Sequence, residues 1–179
     1  MDTTTEPGAA QPDGSVRRIA GFDVGDRRIG VAITDPLGLT VQPLLTIYRK
    51  TTGRKTPKAD LKSIGRILRK HDVAEAVVGN PLHMSGEVGP RARKAQEFAE
   101  QLRAEFGIPV HLVDERLTTW EAHQLLDEAG RTRGPSGRAS SPRTTAERRE
   151  RSRIIDQVAA VLILQSCLDA RANQAQRDG

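Results

Sequence analysis

The order of the apolar segments constrains the fold of this 179-residue chain more than any other feature. Short apolar runs and period-two alternation predict five strands, at residues 17–25, 28–34, 39–48, 74–79 and 108–114. Apolar residues three and four positions apart predict four helices, at residues 57–71, 90–106, 118–129 and 145–171. Three strands come first, and helices then alternate with strands. This order predicts an α/β fold with a mixed five-stranded sheet and helices on both faces.

Three segments lie outside this pattern. Residues 1–16 are rich in Thr, Pro, Gly and Ala and predict a disordered tail without the apolar region of a signal peptide. Residues 131–147 are mostly Arg, Ser, Gly, Pro and Thr and predict a flexible loop within the domain. Residues 172–179 predict a frayed end. We therefore expect one domain, residues 17–171.

The positive charge of the chain is concentrated in one segment. The formal net charge is +5, but residues 131–153 contain eight Arg and only two acidic residues, so the rest of the chain is nearly neutral. Such a segment suits a polyanionic partner such as nucleic acid. A solvated charge run without a partner is the alternative interpretation.

Cysteine content and hydropathy indicate where the protein works. Cys167 is the only cysteine, so no disulfide can form within the chain, which agrees with a reducing cytosol. No apolar run approaches the roughly 20 residues that a membrane-spanning helix needs. We expect a cytoplasmic protein with no membrane partner.

Asp23 is the most conspicuous acidic residue, because it lies inside an otherwise apolar or glycine-containing strand. Alternation places its side chain on the same face as Gly21 and Gly25, opposite Phe22 and Val24. A carboxylate in a central strand is unfavourable unless it is paired or bound to a metal ion. The flanking glycines would leave room for an ion or a phosphate.

Further acidic residues end the last strand and interrupt the last helix. Asp114 and Glu115 are adjacent, so alternation sends their side chains to opposite sides and only one should point into a shared site. Asp156 lies in an apolar stretch of the helix at 145–171. It could instead pair with Arg153, one turn back on the same face.

Three such carboxylates could converge on an oxygen-ligand metal site. Mg²⁺ or Mn²⁺ is the expected ion, because both prefer carboxylate and water ligands. Two ions about 3.5–4 Å apart can promote phosphodiester hydrolysis. Zinc is not expected, because the histidines have no ligand-like spacing and the one cysteine lies on a predicted helix. His111 should be packed within its strand rather than catalytic. The four histidines are His71, His83, His111 and His123.

Four ordered motifs resemble the signatures of the YqgF/RuvX family. They are GFDVGDRRIGVAITD (21–35), VVGNPLHMSGE (77–87), PVHLVDERLTT (109–119) and IIDQVAAVLILQSCLD (154–169). This family contains the bacterial pre-16S rRNA nucleases, which are related in fold to Holliday-junction resolvases. The resemblance covers nearly the whole chain, although the 131–147 segment is longer than the usual connection.

The resemblance implies a ribonuclease H-like fold and a cytoplasmic, divalent-metal-dependent endonuclease or exonuclease that matures the 5′ end of 16S rRNA. The family's acidic triad falls on Asp23, Glu115 and Asp156, which selects Glu115 over Asp114. These three residues are the expected catalytic and metal-binding residues. The expected partners are structured RNA (pre-16S rRNA) or branched DNA, together with pre-ribosomal particles, bound by a monomer or a homodimer.

Several polar residues are candidates for contact with nucleic acid. Basic residues could hold phosphates, and the loop that follows the fourth strand could track the backbone. A surface salt bridge is the alternative role for the arginines near Asp23. The candidates are Arg27, Arg28, Asn80, Arg116, Arg131, Arg133, Arg138 and Arg143.

Two other functions are compatible with the sequence. A Holliday-junction resolvase would use the same chemistry on branched DNA and would need a symmetric dimer, since fold does not determine substrate. A nucleic-acid-binding domain without catalysis would bind without turnover and without metal. The presence of all three acids argues against this second alternative.

Overall fold

The computed structural model describes residues 17–49, 56–115, 132–133, 139–140 and 144–178. The strands in these ranges are β1 (Arg18–Val24), β2 (Arg28–Thr34), β3 (Val41–Tyr48), β4 (Val73–Asn80), β5 (Val110–Asp114), β6 (Thr132–Arg133) and β7 (Ala139–Ser140). The helices are α1 (Lys58–Lys70), α2 (Pro90–Phe106) and α3 (Thr145–Asp178). The predicted tail at 1–16 and the predicted helix at 118–129 lie outside the described residues.

The first five strands form one mixed sheet in the order β3-β2-β1-β4-β5. The pairs β1–β2 and β2–β3 are antiparallel, whereas β1–β4 and β4–β5 are parallel. The predicted mixed five-stranded sheet is confirmed. Because β1, β4 and β5 run in the same direction, their ends at Val24, Asn80 and Asp114 meet at one edge of the sheet. We call this the carboxyl edge.

Helices cover both faces of this sheet, as predicted. On one face, α1 and α2 pack on alternate strand residues, and Phe22 meets Phe98 of α2 edge to face with ring centroids 5.7 Å apart. On the other face lies α3. There the sheet is lined by small residues: a Cβ added to Gly21 would lie 2.7 Å from the Cβ of Leu164. Helix α3 therefore lies very close to the strands.

A reciprocal cap explains why α3 begins at Thr145. The backbone N–H of Glu147 donates to the Thr144 hydroxyl, and the backbone N–H of Thr144 donates to the Glu147 carboxylate, both at 3.1 Å. This is a capping box, which satisfies amide groups that the first turn leaves without partners. Although α3 spans 34 residues, neither it nor the other described helices have a segment long and apolar enough to cross a membrane.

Two segments that were predicted to be irregular contain regular structure. Within 131–147, β6 and β7 pair antiparallel, and α3 begins at Thr145, where the helix at 145–171 was predicted to begin. At the other end, α3 continues to Asp178, past its predicted end at Arg171. Residues 172–178 (ANQAQRD) contain no Gly or Pro to stop a helix, which explains the longer helix.

A buried carboxylate anchors α3 to the sheet away from the carboxyl edge. Glu75, near the start of β4, has a side chain that is only 5% exposed and forms an ion pair with Arg171 of α3. The Arg171 Nη1 donates to Oε2 at 3.2 Å, and His111 Nε2 lies 3.2 Å from Oε1. The His111 side chain is 45% exposed, so the expectation that it is packed was wrong. Burial raises the pKa of the neighbouring Cys167 thiol.

We expect Arg171→Met to destabilise the fold, because it removes the guanidinium that pairs with the buried Glu75 carboxylate. Breaking a buried ion pair costs about 3–5 kcal/mol. Because Arg171 is partly solvated, we expect a loss of about 2–4 kcal/mol in urea unfolding. The matched control is Arg153→Met, whose exposed partner Glu150 predicts a change below about 1 kcal/mol. Equal effects of the two variants would show that the Glu75 pair is not a buried anchor.

Candidate active site

Asp23 lies near the carboxyl end of β1 and faces α3. A Cβ added to Gly21, two residues earlier, would point at Leu164 of α3, whereas Phe22 packs on the opposite face of the sheet. This alternation confirms the predicted orientation of Asp23. Directly opposite Asp23 on β2 is Gly30. A central strand thus holds the carboxylate in a fixed position at the carboxyl edge.

Glu115 follows β5 immediately and reaches over the neighbouring strand β4. A Cβ added to Gly79 would overlap the Glu115 Oε1 atom and the Ile163 side chain of α3. The absence of a side chain at Gly79 therefore makes room for the Glu115 carboxylate on the α3 face. The adjacent Asp114 is still part of β5, where it lies opposite Asn80 in the parallel pair.

Asp156 approaches the same edge from α3. Its backbone carbonyl oxygen lies so close to Gly30 that a Cβ there would overlap it. Its carboxylate Oδ2 accepts a 2.5 Å hydrogen bond from the Arg28 Nε. The alternative pairing with Arg153 was wrong, because Arg153 contacts Glu150 at 2.6 Å.

The three carboxylates interact electrostatically. The pKa of Asp23 is raised from 3.8 to about 7, first by burial and then by the negative charges of Glu115 and Asp156. Burial also raises the pKa of Asp156, against the opposing effect of Arg28. Desolvation and like charges both disfavour the ionised form of a carboxyl group. A bound cation would relieve this repulsion.

The chemistry of this donor set fits a hard divalent cation, since all the candidate ligands are carboxylate oxygens. The positions of these side chains in the structure fit such a cation less well. Among the described residues, which include all three acids, no three His, Cys, Asp or Glu side chains converge closely enough to hold an ion. The Asp156 carboxylate is instead held by Arg28. Binding of a metal ion by Asp156 therefore requires that carboxylate to leave Arg28.

The predicted nucleic-acid contacts separate into three groups. Arg27 is exposed in the β1–β2 turn, and Arg28 contacts Asp156. Asn80 is only 8% exposed, and its Oδ1 accepts a 3.5 Å hydrogen bond from Gln96 of α2. It thus lies on the face opposite Asp23, where alternation from Gly79 places it. The side chains of the other candidates lie outside the described residues: Arg116, Arg131, Arg133, Arg138 and Arg143.

Arg91 is a site neighbour that sequence reasoning missed. It is exposed in the first turn of α2, and its positive charge lowers the pKa of Asp23 against the stronger effects that raise it. A signal was present in the sequence, since Pro90 marks the start of α2 directly after the loop from β4. The sequence does not show, however, which strand of the sheet ends next to the start of α2.

Comparison with known proteins identifies the family. The family model described as "RuvX: Holliday junction resolvase" matches residues 17–170. The chain belongs to this family. The mixed sheet with helices on both faces agrees with the ribonuclease H-like fold expected of the RuvX family. The RuvX match also supports a hydrolase that acts on phosphodiester bonds.

Two similar members of the RuvX family share the name "Putative pre-16S rRNA nuclease". The protein from Moorella thermoacetica is 45% identical over 152 residues, covering 85% of this chain and 94% of its own. That from Pelotomaculum thermopropionicum is 42% identical over 162 residues, covering 90% of this chain and 93% of its own. The structural likeness to RuvC of Thermus thermophilus in complex with a Holliday junction substrate is weak: 18% identity and a TM-score of 0.44, over 82% of this chain and 90% of that one.

Proposed function

We propose that this protein is a divalent-metal-dependent nuclease that hydrolyses phosphodiester bonds at the 5′ end of pre-16S rRNA in the cytoplasm. The observation that carries the proposal is the approach of Asp23, Glu115 and Asp156 to the carboxyl edge, where burial and then the negative charges of the other two acids raise the pKa of Asp23. A cluster of mutually repelling carboxylates is unfavourable for folding and is typical of a cation site. The names of the 45% and 42% identical relatives support the choice of substrate.

Each acid has a distinct structural role in this proposal. Asp23 belongs to a central strand and provides a rigid oxygen ligand, and Glu115 reaches the same edge over Gly79. Asp156 belongs to α3 and would complete the ligand set by leaving Arg28. Bound by these carboxylates, Mg²⁺ or Mn²⁺ would act as a Lewis acid and activate water for attack on phosphorus. The released Arg28 guanidinium is then available to bind a substrate phosphate.

A Holliday-junction resolvase is the second candidate, because the matching family model carries that description. The same carboxylates would serve the reaction, so the geometry of one site does not separate the two functions. The difference lies in stoichiometry: symmetric cleavage of a junction needs two sites and therefore a dimer.

The test is cleavage of end-labelled substrates by the purified full chain. The substrates are a pre-16S 5′ leader RNA, immature small-subunit particles that contain it, an unstructured RNA, and a DNA four-way junction. Each is incubated with Mg²⁺, Mn²⁺ or EDTA. We expect cleavage of the leader RNA or particle that EDTA abolishes. Symmetric cleavage of the junction alone would favour the resolvase, and binding without any cleavage would contradict the nuclease proposal.

A further inference from the structure

Tyr48 is a large aromatic residue left exposed beside the acids. It is the only tyrosine of the chain and the last residue of β3, and it is 54% exposed. Among the other aromatic residues, Phe22 and Phe98 are fully buried in the core. Surface exposure alone is common for tyrosine, so the position of Tyr48 relative to the acids decides whether the residue has a function.

Register and alternation place Tyr48 on the face of α3. Thr46, two residues earlier, donates a hydrogen bond to the backbone carbonyl of Arg153 in α3, at 3.3 Å. Ile47, between them, is buried in the core on the opposite face. Since alternate strand residues share a face, Tyr48 lies on the same face as Thr46 and the acids.

Tyr48 is also next to a residue that contacts the acidic site. Its partner in the antiparallel pair β2–β3 is Arg28. Directly opposite residues on one face have Cβ atoms about 4.5–5.5 Å apart. Arg28 in turn donates its 2.5 Å hydrogen bond to Asp156. Only one side chain therefore separates the tyrosine from a carboxylate of the proposed site.

Two arginines are neighbours of this tyrosine: Arg28 is its partner in the pair β2–β3, and Arg49 follows it directly in the chain. The Arg49 side chain donates from Nη1 to the Gly25 carbonyl at 3.0 Å, and its backbone N–H donates to the Arg27 carbonyl at 2.9 Å. These bonds fasten the end of β3 to the β1–β2 turn. Arg27 is exposed, and the Arg153 side chain is 48% exposed. Proteins that bind single-stranded nucleic acid combine exposed aromatic rings, on which bases stack, with positively charged side chains.

We propose that Tyr48 stacks on an unpaired nucleobase of the substrate strand next to the scissile phosphate. The base lies on the ring, while Arg28 and Arg49 provide positive charge for the adjoining phosphates. This inference rests on the proposed nuclease function and narrows the substrate to strands with an unpaired base near the cleavage site. Continuous duplex, whose bases are all stacked and paired, would bind less well at this position.

The test uses a pre-16S leader oligoribonucleotide that carries 2-aminopurine at successive unpaired positions, in EDTA so that no turnover occurs. Stacking on an aromatic ring quenches 2-aminopurine fluorescence. We expect quenching at one position by the wild type and by Tyr48→Phe, and its loss in Tyr48→Leu. The affinity of Tyr48→Leu should fall about 5- to 160-fold, which corresponds to the roughly 1–3 kcal/mol lost when a stacking aromatic is removed. Leu39→Ala, exposed in the distant β2–β3 turn, is the control and should bind as wild type does.

An abasic nucleotide at the quenched position provides the second measurement. It should lower the affinity of the wild type but not that of Tyr48→Leu, because the leucine variant has no aromatic ring on which the base could stack. Unchanged quenching and affinity in Tyr48→Leu would overturn the inference. If the wild type still cleaved RNA with Mg²⁺, the proposed nuclease function would stand. Failure of the wild type to bind or cleave any RNA would overturn both.

Discussion

We expect Asp23→Asn to abolish cleavage and, at the same time, to stabilise the metal-free protein. The variant keeps the size of the side chain but removes the charge that would hold a cation. Loss of outer-sphere partners of metal sites already costs about 10–100-fold in activity, so loss of a ligand should cost at least about 100-fold. Residual activity near the wild-type level would contradict the assignment of Asp23.

The gain in stability follows from the raised pKa of Asp23. Between pH 3.8 and about 7 the folded state binds more protons at this site than the unfolded state, so wild-type stability falls as the pH rises through this range. Asparagine does not titrate. The advantage of the variant should therefore be small near pH 4 and reach about 2–4 kcal/mol above pH 7, at 1.36 kcal/mol per pKa unit.

Thermal unfolding in EDTA at several pH values measures this difference, with Asp72→Asn as the control. Asp72 is exposed after α1 and adopts a positive φ of 51°, which asparagine tolerates. The control should change neither cleavage nor stability by much. Added Mg²⁺ should stabilise the wild type more than Asp23→Asn, because only the wild type keeps the full ligand set. A variant that is inactive and also less stable would indicate a structural role instead.

We expect Gly30→Val to displace α3 and to disrupt both fold and site. Any Cβ at this position overlaps the backbone carbonyl oxygen of Asp156. Neither partner can rotate away, because one belongs to a central strand and the other to a helix backbone. Overpacking typically costs about 1–3 kcal/mol, and this contact should reach at least the upper end of that range. Cleavage should fall as well, since the substitution moves Asp156.

Urea unfolding and cleavage of the leader RNA measure the two effects separately. The control is Gly65→Ala in α1, where the added Cβ would lie 2.8 Å from a ring carbon of Phe106. That ring is half-buried near the surface and can shift, so the control should lose little stability and no activity. A Gly30→Val protein with wild-type stability and cleavage would show that the close approach of α3 is not required.

Local patterns predicted the elements because the forces that form them act over a few residues. Alternation in β1 predicted that Asp23 shares a face with Gly21, and the cap at Thr144 lies where the helix at 145 was expected to begin. The adjacent pair Asp114 and Glu115 was predicted to contribute one acid, and the family resemblance selected Glu115. Helix α3, by contrast, continues to Asp178, because nothing in its last residues stops it.

Contacts between distant residues were not predictable in this way. Arg153 was the alternative partner considered for Asp156 because the two are close in sequence, whereas the partner in the fold is Arg28, 128 residues away. Likewise, Asn80 was expected to face substrate, but the side of β4 that carries it packs on α2. The influence of Arg91 on Asp23 also depends on where α2 begins in space.

The sequence by itself determined which segments are strands and helices, and which face of β1 carries the acid. Both follow from the period of the apolar residues, which is a local property. Only the tertiary structure decided which residues contact the acids. Glycines at 21, 30 and 79 bring α3 and Glu115 close to the sheet, and β2 presents Arg28 to Asp156 and to Tyr48. These contacts depend on how the helices pack on the sheet, because the burial and the electrostatic environment of each acid come from residues that are far apart in the chain.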